Sequence, residues 1–342
     1  MIPTSIKEPE GVANNAPLVH AIVVSWNGAQ LLPDCLKALL SQEAPGRVHA
    51  VVVDNGSTDG TTELLRRDFT SVEHLRLDAN LGYGRANNQA MRRALDASAD
   101  FVALINNDVE LDPGWLAHLL DGVRAQPQAG LFTGTLLFRD EPAVNSTGLV
   151  IDGLGRAMDR DFRVPLRELA TKDGPVQGVS GGAALLRSSM LREVGLFDPA
   201  YFAYYEDAEL SLRAARHGFT SWYVRAATAR HRFSATFGRG TPQQRYLLGR
   251  GHLRTVGLHQ PLYKVAALVP LTVGYRIGFK APLELLRARP KLAWAELRAA
   301  STGTVEVARA LFARLTKARG PRPEARSRLT DKSPAPPSRP SR

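Results

Sequence analysis

Carboxylate and amide side chains follow two apolar runs of the sequence. Asp54 ends one run, and Asn106, Asn107 and Asp108 follow another. An acid directly after a buried strand is well placed to hold a divalent cation on a phosphorylated ligand, and Mg²⁺ usually takes one or two protein carboxylates together with phosphate and water. A single carboxylate provides few ligands for a metal ion, and a solvated turn would also explain Asp108. A turn explains Asp54 less well, because a carboxylate that closes a buried strand usually has a partner or a ligand.

Three acids occupy four positions at the start of a predicted helix: Glu206, Asp207 and Glu209. Four aromatic residues come just before them: Tyr201, Phe202, Tyr204 and Tyr205. Negative charge at a helix start interacts favourably with the helix dipole, which would explain Glu209 without a catalytic role. The aromatic residues suggest a semi-enclosed site, in which an acid can serve as general base if it reaches the proton it must take.

Other motifs support weaker interpretations. Gly82 and Gly84 precede a predicted helix, as in a dinucleotide fingerprint, but the third glycine position is Asn87, which disfavours a nicotinamide site. The glycines would still let backbone amides approach a phosphate at the helix start.

No other histidine lies at metal-ligand spacing from His231 in the sequence, and a lone histidine is more often structural than a ligand. Residues 54–60 fail as a calcium loop, and the chain lacks the nucleophile elbow of Ser/His/Asp hydrolases.

The elements that must position these residues alternate between strand and helix. Apolar runs rich in Val and Ile predict buried parallel strands at residues 18–26, 48–54, 72–77 and 101–105. Helical spacing of apolar residues predicts helices at 30–42, 59–68, 85–97 and 113–125. This order predicts an α/β fold with an open, mostly parallel mixed sheet and helices on both faces. Ligands bind at the carboxyl ends of the strands in such sheets, so the polar loops after four strands should meet at one cleft.

The pattern changes after residue 130. Further strands are predicted at 130–138, 147–151, 181–187 and 221–225, and helices at 188–194 and 206–217. Residues 153–177 are charged and irregular, which predicts a loop that could cover the site. The predicted organisation is a flexible leader at 1–17, one α/β domain at 18–250, a basic amphipathic helical extension at 251–318 and a disordered basic tail at 319–342.

Charge is unevenly distributed over the 342 residues. The net charge is +11, yet residues 261–342 alone hold 17 Lys and Arg against five Asp and Glu, a net charge of +12. Residues 1–260, with 27 basic against 28 acidic residues, are left at −1. A strongly basic chain suggests nucleic acid, but this split weakens that interpretation for the body of the protein.

Composition excludes several classes of protein. Apolar residues make up 44% of the chain, which excludes wholesale disorder. Cys35 stands alone, so no intrachain disulfide is possible, which suits a reducing compartment. Residues 1–17 lack the apolar core of a secretory signal. The apolar run at 265–275 is too short for a spanning helix, which needs about 20 apolar residues.

Taken together and in order, the motifs resemble those of the family 2 inverting glycosyltransferases, which have the GT-A fold. The resemblance covers about residues 19–238 and is strongest to the rhamnosyltransferase-type branch, which builds bacterial surface polysaccharides. Each motif is weak alone, but their shared order is specific. The motifs are V-V-S-W-N at 23–27, D-N-G-S-T-D-G at 54–60, N-L-G-Y-G-R-A-N-N at 80–88, N-N-D at 106–108, G-G-A-A-L-L-R at 181–187, V-G-L-F-D at 194–198, Y-E-D-A-E-L at 205–210 and His231.

The resemblance implies a role for each matching residue. Asp54 would hydrogen-bond the nucleobase. Asp108 would hold a divalent cation, Mg²⁺ or Mn²⁺, through the donor diphosphate, with His231 as a second ligand. Asp207 matches the catalytic base, and Glu206 is the neighbouring candidate. The remaining matches would line the donor site, with the last two against the donor sugar or the acceptor: Asn27, Asn55, Gly82, Gly84, Asn87, Asn106, Asn107, Gly181 and Gly182.

One position departs from the family pattern. The metal motif of the family is often Asp-x-Asp, and its first position here is Asn106. The change removes one carboxylate and would weaken metal binding, although Asn-Asn-Asp variants are familiar in this branch.

The resemblance implies inverting transfer of a sugar from a nucleotide-diphosphate donor to a hydroxyl of a glycan or lipid-linked glycan. Rhamnose is one candidate sugar, and bacterial surface polysaccharide synthesis is the expected setting. The alternative is a non-catalytic sugar-nucleotide-binding partner of a polysaccharide assembly complex. The presence of both Asp108 and the Glu206–Asp207 pair argues against that alternative. Nucleic-acid binding ranks last, because no aromatic residues interleave with the basic ones, and no specific nucleic-acid partner is expected.

The basic end of the chain suggests a second partner. Residues 283–317 have the pattern of an amphipathic helix with Arg and Lys among its apolar residues. Such a segment can lie on an anionic membrane surface, where each Lys or Arg contributes about 1 kcal/mol. We therefore expect residues 261–342 to hold a cytoplasmic, peripheral protein on the inner face of the cytoplasmic membrane, beside a lipid-linked acceptor.

Overall fold

A computed structural model describes residues 16–232, 238 and 240–318 of the chain. Nearly all of the predicted leader at 1–17 and the whole predicted tail at 319–342 lie outside these residues. Within them, the order of strands and helices confirms the predicted α/β class.

The first half of the sheet is parallel, as predicted. Its elements are β1 (Leu18–Ser25), α1 (Leu32–Leu40), β2 (Arg47–Asp54), α2 (Thr61–Asp68), β3 (Glu73–Arg76), α3 (Tyr83–Asp96) and β4 (Phe101–Asn106). The strands stand in the order β4-β1-β2-β3, with β1 between β2 and β4. The residues after β1, β2 and β4 therefore emerge at one edge of the sheet, where the polar motifs were expected to meet.

The second half makes the sheet mixed. Its elements are β5 (Val109–Leu111), α4 (Trp115–Ala125), β6 (Ala129–Phe138), β7 (Val144–Ser146), β8 (Leu149–Ile151), β9 (Ala157–Asp159), β10 (Gly174–Val176), β11 (Ala183–Arg187), α5 (Ser188–Val194), α6 (Glu206–Arg216) and β12 (Thr220–His231). Strand β11 runs antiparallel between β4 and β6. Strand β12 is parallel to β6, and its last residues pair antiparallel with β5. The result is the mostly parallel mixed sheet that was expected.

Residues 153–177 contain more structure than the predicted loop. Strand β9 forms a separate two-stranded hairpin with β8, which lies within the strand predicted at 147–151. A 3₁₀ turn covers Leu166–Glu168, and β10 joins the edge of the main sheet. Strands β9 and β10 have three residues each, which is too short for an alternating pattern to be recognised in the sequence. The hairpin is held to the body by a hydrogen bond of 2.8 Å from the Leu149 N–H to the Gly178 carbonyl.

Two apolar cores lie on the two faces of the sheet. Helices α1 and α4 cover one face with side chains that include Leu36, Leu39 and Trp115. Helix α3 and the helices after β11 cover the other face, with Met91 and Leu191 among the fully buried residues. Because complete burial of such a side chain stabilises the fold by about 1.5–3 kcal/mol, the two layers fix the sheet edge on which the polar loops stand.

Four helices follow the sheet: α7 (Pro242–His259), α8 (Leu262–Tyr275), α9 (Ala281–Leu286) and α10 (Pro290–Ala318), with a π-helical turn at Arg276–Lys280 between α8 and α9. Helix α10 packs on α7 around Leu253, Val256 and Val307. The predicted domain boundary at residue 250 falls inside α7, so this helix is shared by the α/β domain and the extension. Within the described residues, none of the helices combines the length and apolar composition needed to cross a bilayer.

Buried ion pairs attach the extension to the rest of the chain. Glu306 of α10 accepts hydrogen bonds from Arg250 (2.9 Å) and Arg254 (2.6 Å) of α7. Arg254 also pairs with Asp198, which lies before α6 in the α/β domain, at 2.6 Å. Glu296 pairs with Arg245 of α7 at 3.4 Å. Helix α10 is therefore docked through its buried acids, and only its outer face is exposed.

Candidate active site

A cavity of about 390 Å³ opens at the carboxyl edge of the sheet. The loops after β1, β2 and β4 form one side, and the chain before β11 and the start of α6 form another. The hairpin β8–β9 and helix α7 complete the wall. The predicted site residues that border it are Asn55, Gly82, Asn106, Asn107, Asp108, Gly181, Gly182, Glu206, Asp207 and His231.

Strand pairing brings Asp108 and His231 together although they are far apart in sequence. His231 ends β12 opposite Val109, the first residue of β5. The Arg232 N–H donates to the Asp108 carbonyl at 3.0 Å and fixes this register. The Asp108 Oδ1 and His231 Nε2 atoms are consequently 3.1 Å apart, and both side chains are buried.

Asn145 of β7 orients the imidazole of His231. The His231 Nδ1 lies 2.8 Å from the Asn145 Oδ1, an acceptor, so Nδ1 carries the hydrogen of this contact and Nε2 is the ring nitrogen turned towards the Asp108 carboxylate. Two electron-rich atoms that face each other at this distance suit a cation, and a hydrogen bond to the second ring nitrogen is typical of histidine ligands. The described part of the chain contains no group of three or more His, Cys, Asp or Glu at metal-binding distances. The pair therefore fits a cation whose other ligands come from phosphate and water.

The second acidic pair lies at the start of α6. Asp207 accepts two backbone hydrogen bonds, from the Gly181 N–H to Oδ2 at 2.9 Å and from the Ala208 N–H to Oδ1 at 2.7 Å. Burial raises the pKa of Asp207, and these two amides oppose the shift. Glu206 is 6% exposed, and its Oε2 has no hydrogen-bond partner among the described residues. Burial and the neighbouring charge of Asp207 raise the pKa of Glu206 to about 8.

The hydrogen bonding of the two acids differs. Two backbone amides stabilise the ionised form of Asp207, whereas the Oε2 of Glu206 has no donor among the described residues. Asp207 is thus better placed than Glu206 to act as a proton acceptor in the cavity.

Two strained residues aim this helix start at the cavity. Tyr204 and Tyr205 both have left-handed backbone conformations, with φ of 67° and 75°. Such conformations cost about 1–3 kcal/mol each outside glycine and persist only where packing enforces them. Helix α7 supplies that packing, because a Cβ at Gly251 would lie 3.1 Å from the Tyr204 carbonyl oxygen. The acids and the aromatic residues were recognisable in the sequence, but nothing there indicated this strain.

The side chain of Asn80 organises the loop after β3. Asn80 is the first residue of the motif at 80–88, but it was not among the predicted site residues. Its Oδ1 accepts from the Asn55 Nδ2 at 3.0 Å and from the Gly82 N–H at 2.9 Å. Gly82 has a φ of +84°, and a Cβ there would lie 2.3 Å from the Phe202 carbonyl oxygen. The Tyr83 N–H donates to the same oxygen at 2.7 Å. This loop is thereby joined to the segment that leads into α6.

Asp54 lies beneath the cavity rather than in its wall. It is 0% exposed, and its oxygens accept from the Ser57 N–H, the Thr62 hydroxyl and the Arg76 guanidinium. Burial raises the pKa of Asp54, but the hydrogen bonds from Thr62 and Ser57, with the one from Arg76, hold it below its usual value. The carboxylate is therefore ionised and fully paired, and its predicted contact with a base stays a prediction.

Three further predicted residues lie outside the cavity lining. Asn27 accepts from the Thr58 N–H at 2.8 Å and links the loops after β1 and β2. Asn87 is buried in α3, where its Nδ2 donates to the Tyr83 carbonyl at 3.1 Å. Gly84 packs on the segment before α6. Their predicted roles in donor binding stay predictions.

The cavity also includes side chains that sequence reasoning missed. Trp26 lay in the first motif and offers a half-exposed aromatic face. Asn145 comes from β7 and Asp159 from β9, two strands of three residues that were not predicted. Gln244 and Leu248 come from α7, which was divided between two predicted domains. These residues reach the cavity through tertiary packing, which local patterns do not reveal.

The chain is similar to several known proteins. The family model described as Glycosyl transferase family 2 matches residues 20–195. An N-acetylglucosaminyl-diphospho-decaprenol L-rhamnosyltransferase of Mycobacterium tuberculosis is 34% identical over 244 residues, which cover 65% of this chain and 78% of that protein. An N-acetylglucosaminyltransferase of Azorhizobium caulinodans is 26% identical over 247 residues, 66% of this chain and 59% of that one. A crystal structure of GalNAc-T7 with UDP, GalNAc and Mn²⁺ shares the fold, with a TM-score of 0.58 at 13% identity over 88% of this chain and 58% of that one.

Replacement of Gly82 by alanine tests the contact between the loop and Phe202. We expect Gly82→Ala to lower the free energy of unfolding by about 2–4 kcal/mol, because backbone strain and overlap with a carbonyl oxygen act together. Urea denaturation measures the loss.

Gly218→Ala is the matched control. Gly218 has a similar φ of +86°, but a Cβ there would meet no atom within 4 Å. It should lose only the strain contribution of about 1–2 kcal/mol. Equal losses for the two variants would contradict a special role for the Gly82 contact.

Proposed function

Because the chain belongs to glycosyl transferase family 2, we propose that this glycosyltransferase moves a sugar with inversion from a nucleotide-diphosphate donor to a hydroxyl of a lipid-linked glycan. The observation that carries the proposal is the placement of the Asp108–His231 pair and the Glu206–Asp207 pair in one cavity. The name of the mycobacterial relative supports rhamnose as the sugar, a lipid-linked N-acetylglucosaminyl diphosphate as the acceptor and polysaccharide synthesis of the cell envelope as the setting.

Asp108 and His231 would hold the divalent cation. When bound, such a cation neutralises the negative charge that develops on the leaving nucleotide diphosphate. The Asn145 side chain keeps the His231 Nε2 turned towards Asp108, so the pair is oriented before the donor arrives. Asn106 supplies no carboxylate, which makes the donor phosphates essential to the coordination.

Asp207 would act as the general base. It takes the proton from the acceptor hydroxyl as that oxygen attacks the anomeric carbon from the face opposite the leaving group. The Gly181 N–H holds the carboxylate in place, whereas the Glu206 Oε2 has no donor among the described residues and burial raises the pKa of Glu206. One base and one displacement give inversion, without a covalent sugar–enzyme intermediate.

The donor would lie along the loops after β1, β2, β3 and β4. Asn55, Gly82, Asn106 and Asn107 border this part of the cavity and offer amide and backbone groups to the nucleotide and its sugar. Trp26 offers an aromatic face at the same end. Asn27, Asp54, Gly84 and Asn87 support these loops from below or from the side, and their predicted direct contacts with the donor are part of the proposal.

The outer face of the extension would bind an anionic membrane surface. Exposed apolar residues lie on α8 to α10: Leu262, Tyr263, Leu271, Tyr275, Ile277, Phe279, Leu285, Leu286, Trp294, Val305, Phe312 and Leu315. Exposed Arg309 lies on α10, and exposed Arg287 and Arg289 lie between α9 and α10. Apolar side chains combined with cations fit a bilayer interface with anionic headgroups. This would place the cavity beside a lipid-linked acceptor on the inner face of the cytoplasmic membrane.

Replacement of Asp207 tests the reaction. The full chain is incubated with dTDP-, UDP- and GDP-sugars, an N-acetylglucosaminyl diphosphate carrying a short alkyl chain, and Mg²⁺ or Mn²⁺. We expect one donor to give an inverted product, detected by mass spectrometry and NMR, and Asp207→Asn to lower kcat by about 10²–10⁴-fold.

Asp121→Asn, an exposed change on α4, is the control and should leave turnover unaltered. Near-normal turnover of natively folded Asp207→Asn would exclude Asp207 as the base. Nucleotide binding by the unchanged chain without transfer or donor hydrolysis would instead favour a non-catalytic binding partner.

Replacement of Asp108 tests the metal pair by binding alone. In the unchanged chain, Mg²⁺ or Mn²⁺ should strengthen binding of the free nucleoside diphosphate, measured by calorimetry. Asp108→Ala should remove most of this enhancement while leaving the weaker metal-free binding, because the cation loses its carboxylate ligand. An enhancement equal to that of the unchanged chain would reject Asp108 as a ligand.

Introduction of negative charge on the outer face tests membrane binding. Leu286, 85% exposed, and Trp294, 62% exposed, can each be changed to Glu without disturbing the buried side of the helices. We expect partitioning onto phosphatidylserine-containing vesicles to fall at least several-fold for each variant, measured by sedimentation, and to weaken with added salt. Leu166→Glu, at an exposed apolar residue remote from these helices, is the control. Equal partitioning of all variants would contradict the proposal.

A further inference from the structure

Two polar side chains in the cavity wall are not fully explained by the proposed reaction. Asp159 has no role in it, and Asn145 only orients His231. Asp159 is the last residue of β9 and pairs across the hairpin with Leu149. Asn145 lies in β7, just before the hairpin. Both border the same cavity as Asp207 and His231.

Asn145 has an unused hydrogen-bond donor. Its Oδ1 accepts from His231, but its Nδ2 has no partner among the described residues, and the residue is only 2% exposed. Buried amide donors are nearly always paired in native proteins, so an unpaired one in a cavity wall points to an acceptor atom on a ligand. Glu206, which borders the same cavity, also has an unpaired oxygen, its Oε2, among the described residues. The wall therefore offers unpaired polar atoms to a polar ligand.

Asp159 faces the reaction centre from the hairpin side. Burial raises its pKa to about 6, the Ser146 hydroxyl and His231 oppose the shift, and the negative charge of Asp207 adds to it. The carboxylate thus lies within electrostatic range of both Asp207 and His231. It does not complete a metal site with Asp108 and His231, because the described residues contain no three-ligand group.

Asp159 is also distinct from the proposed base. The Gly181 and Ala208 amides orient Asp207, whereas Asp159 is carried by a separate two-stranded element. Metal binding and proton transfer are already assigned to other residues. Binding of the acceptor sugar is the remaining requirement of the reaction, and the hairpin side of the cavity has no other assigned occupant.

We propose that Asp159 and the Nδ2 of Asn145 form a subsite for the acetamido group of the acceptor sugar. Asp159 accepts a hydrogen bond from the acetamido N–H, and Asn145 Nδ2 donates to its carbonyl oxygen. The N–H and the C=O of a trans acetamido group point in opposite directions, so a carboxylate and an amide donor on different strands of the cavity wall can bind them from its two sides. The proposal rests on the proposed function and adds the chemical feature by which the acceptor is selected.

The test compares two acceptors in one set of variants. The acceptors are an N-acetylglucosaminyl diphosphate and a glucosyl diphosphate, each on the same short alkyl chain. For the full chain with its donor and metal, Asp159→Ala should raise KM for the acetamido acceptor about tenfold or more and leave KM for the glucosyl acceptor within about twofold. Asp159→Asn keeps an acceptor oxygen and should lose less.

Two further readouts separate binding of the acceptor from a structural effect. The Kd of the nucleoside diphosphate with Mg²⁺ and the rate of donor hydrolysis should be unchanged in Asp159→Ala. Glu168→Ala, an exposed change in the 3₁₀ turn that follows the hairpin, is the control and should match the unchanged chain in every measurement.

The possible results decide between the roles. Equal effects of Asp159→Ala on both acceptors, or no effect on either, would overturn the inference. Weakened nucleotide binding would assign Asp159 to the donor site instead, and a fall in kcat with unchanged KM would assign it to proton transfer, so both would overturn it. If the unchanged chain transfers sugar to neither acceptor, the proposed function itself fails, and this is seen before any variant is compared.

Discussion

The arrangement of the cavity depends on one close backbone contact between two loops. The Phe202 carbonyl oxygen accepts from the Tyr83 N–H at 2.7 Å, and only a glycine at position 82 leaves room for that approach. The contact joins the loop after β3 to the segment that enters α6. In the proposed reaction, one loop serves the donor and the other carries the base, so their separation is set by backbone atoms rather than by flexible side chains.

Helix α7 supports this contact from the other side. Gly251 allows it to pack closely on the strained turn at Tyr204 and Tyr205, and the Thr255 hydroxyl hydrogen-bonds the Tyr201 hydroxyl at 2.8 Å. Two tyrosines in left-handed conformations cost conformational energy, which is offset by packing against residues of α7 after the predicted domain end at residue 250. The extension is thus part of what holds the first turn of α6 in place.

Much of the fold could be predicted from the sequence because its signals are local. The strands at β1, β2 and β4 are nearly continuous runs of Val, Ile, Leu and Ala, and the polar residues that follow them reach the cavity as expected. Strand β8 was predicted, but its hairpin partner β9 was missed because a strand of three residues carries no period. Asp54 shows a second limit, since the sequence marks its position at a strand end but not whether neighbouring side chains already occupy its oxygens.

The acidic side chains of the C-terminal helices are all buried. The acids between residues 261 and 318 are Glu284, Glu296 and Glu306, and all three are buried against arginines. The exposed Arg287, Arg289 and Arg309 also lie within 4.0 Å of one of these acids. Ten Lys and Arg against three Glu in this range leave an excess of positive charge, which creates a positive field at the outer face of α8 to α10. Its reach is set by the ionic strength alone, about 8 Å under physiological conditions.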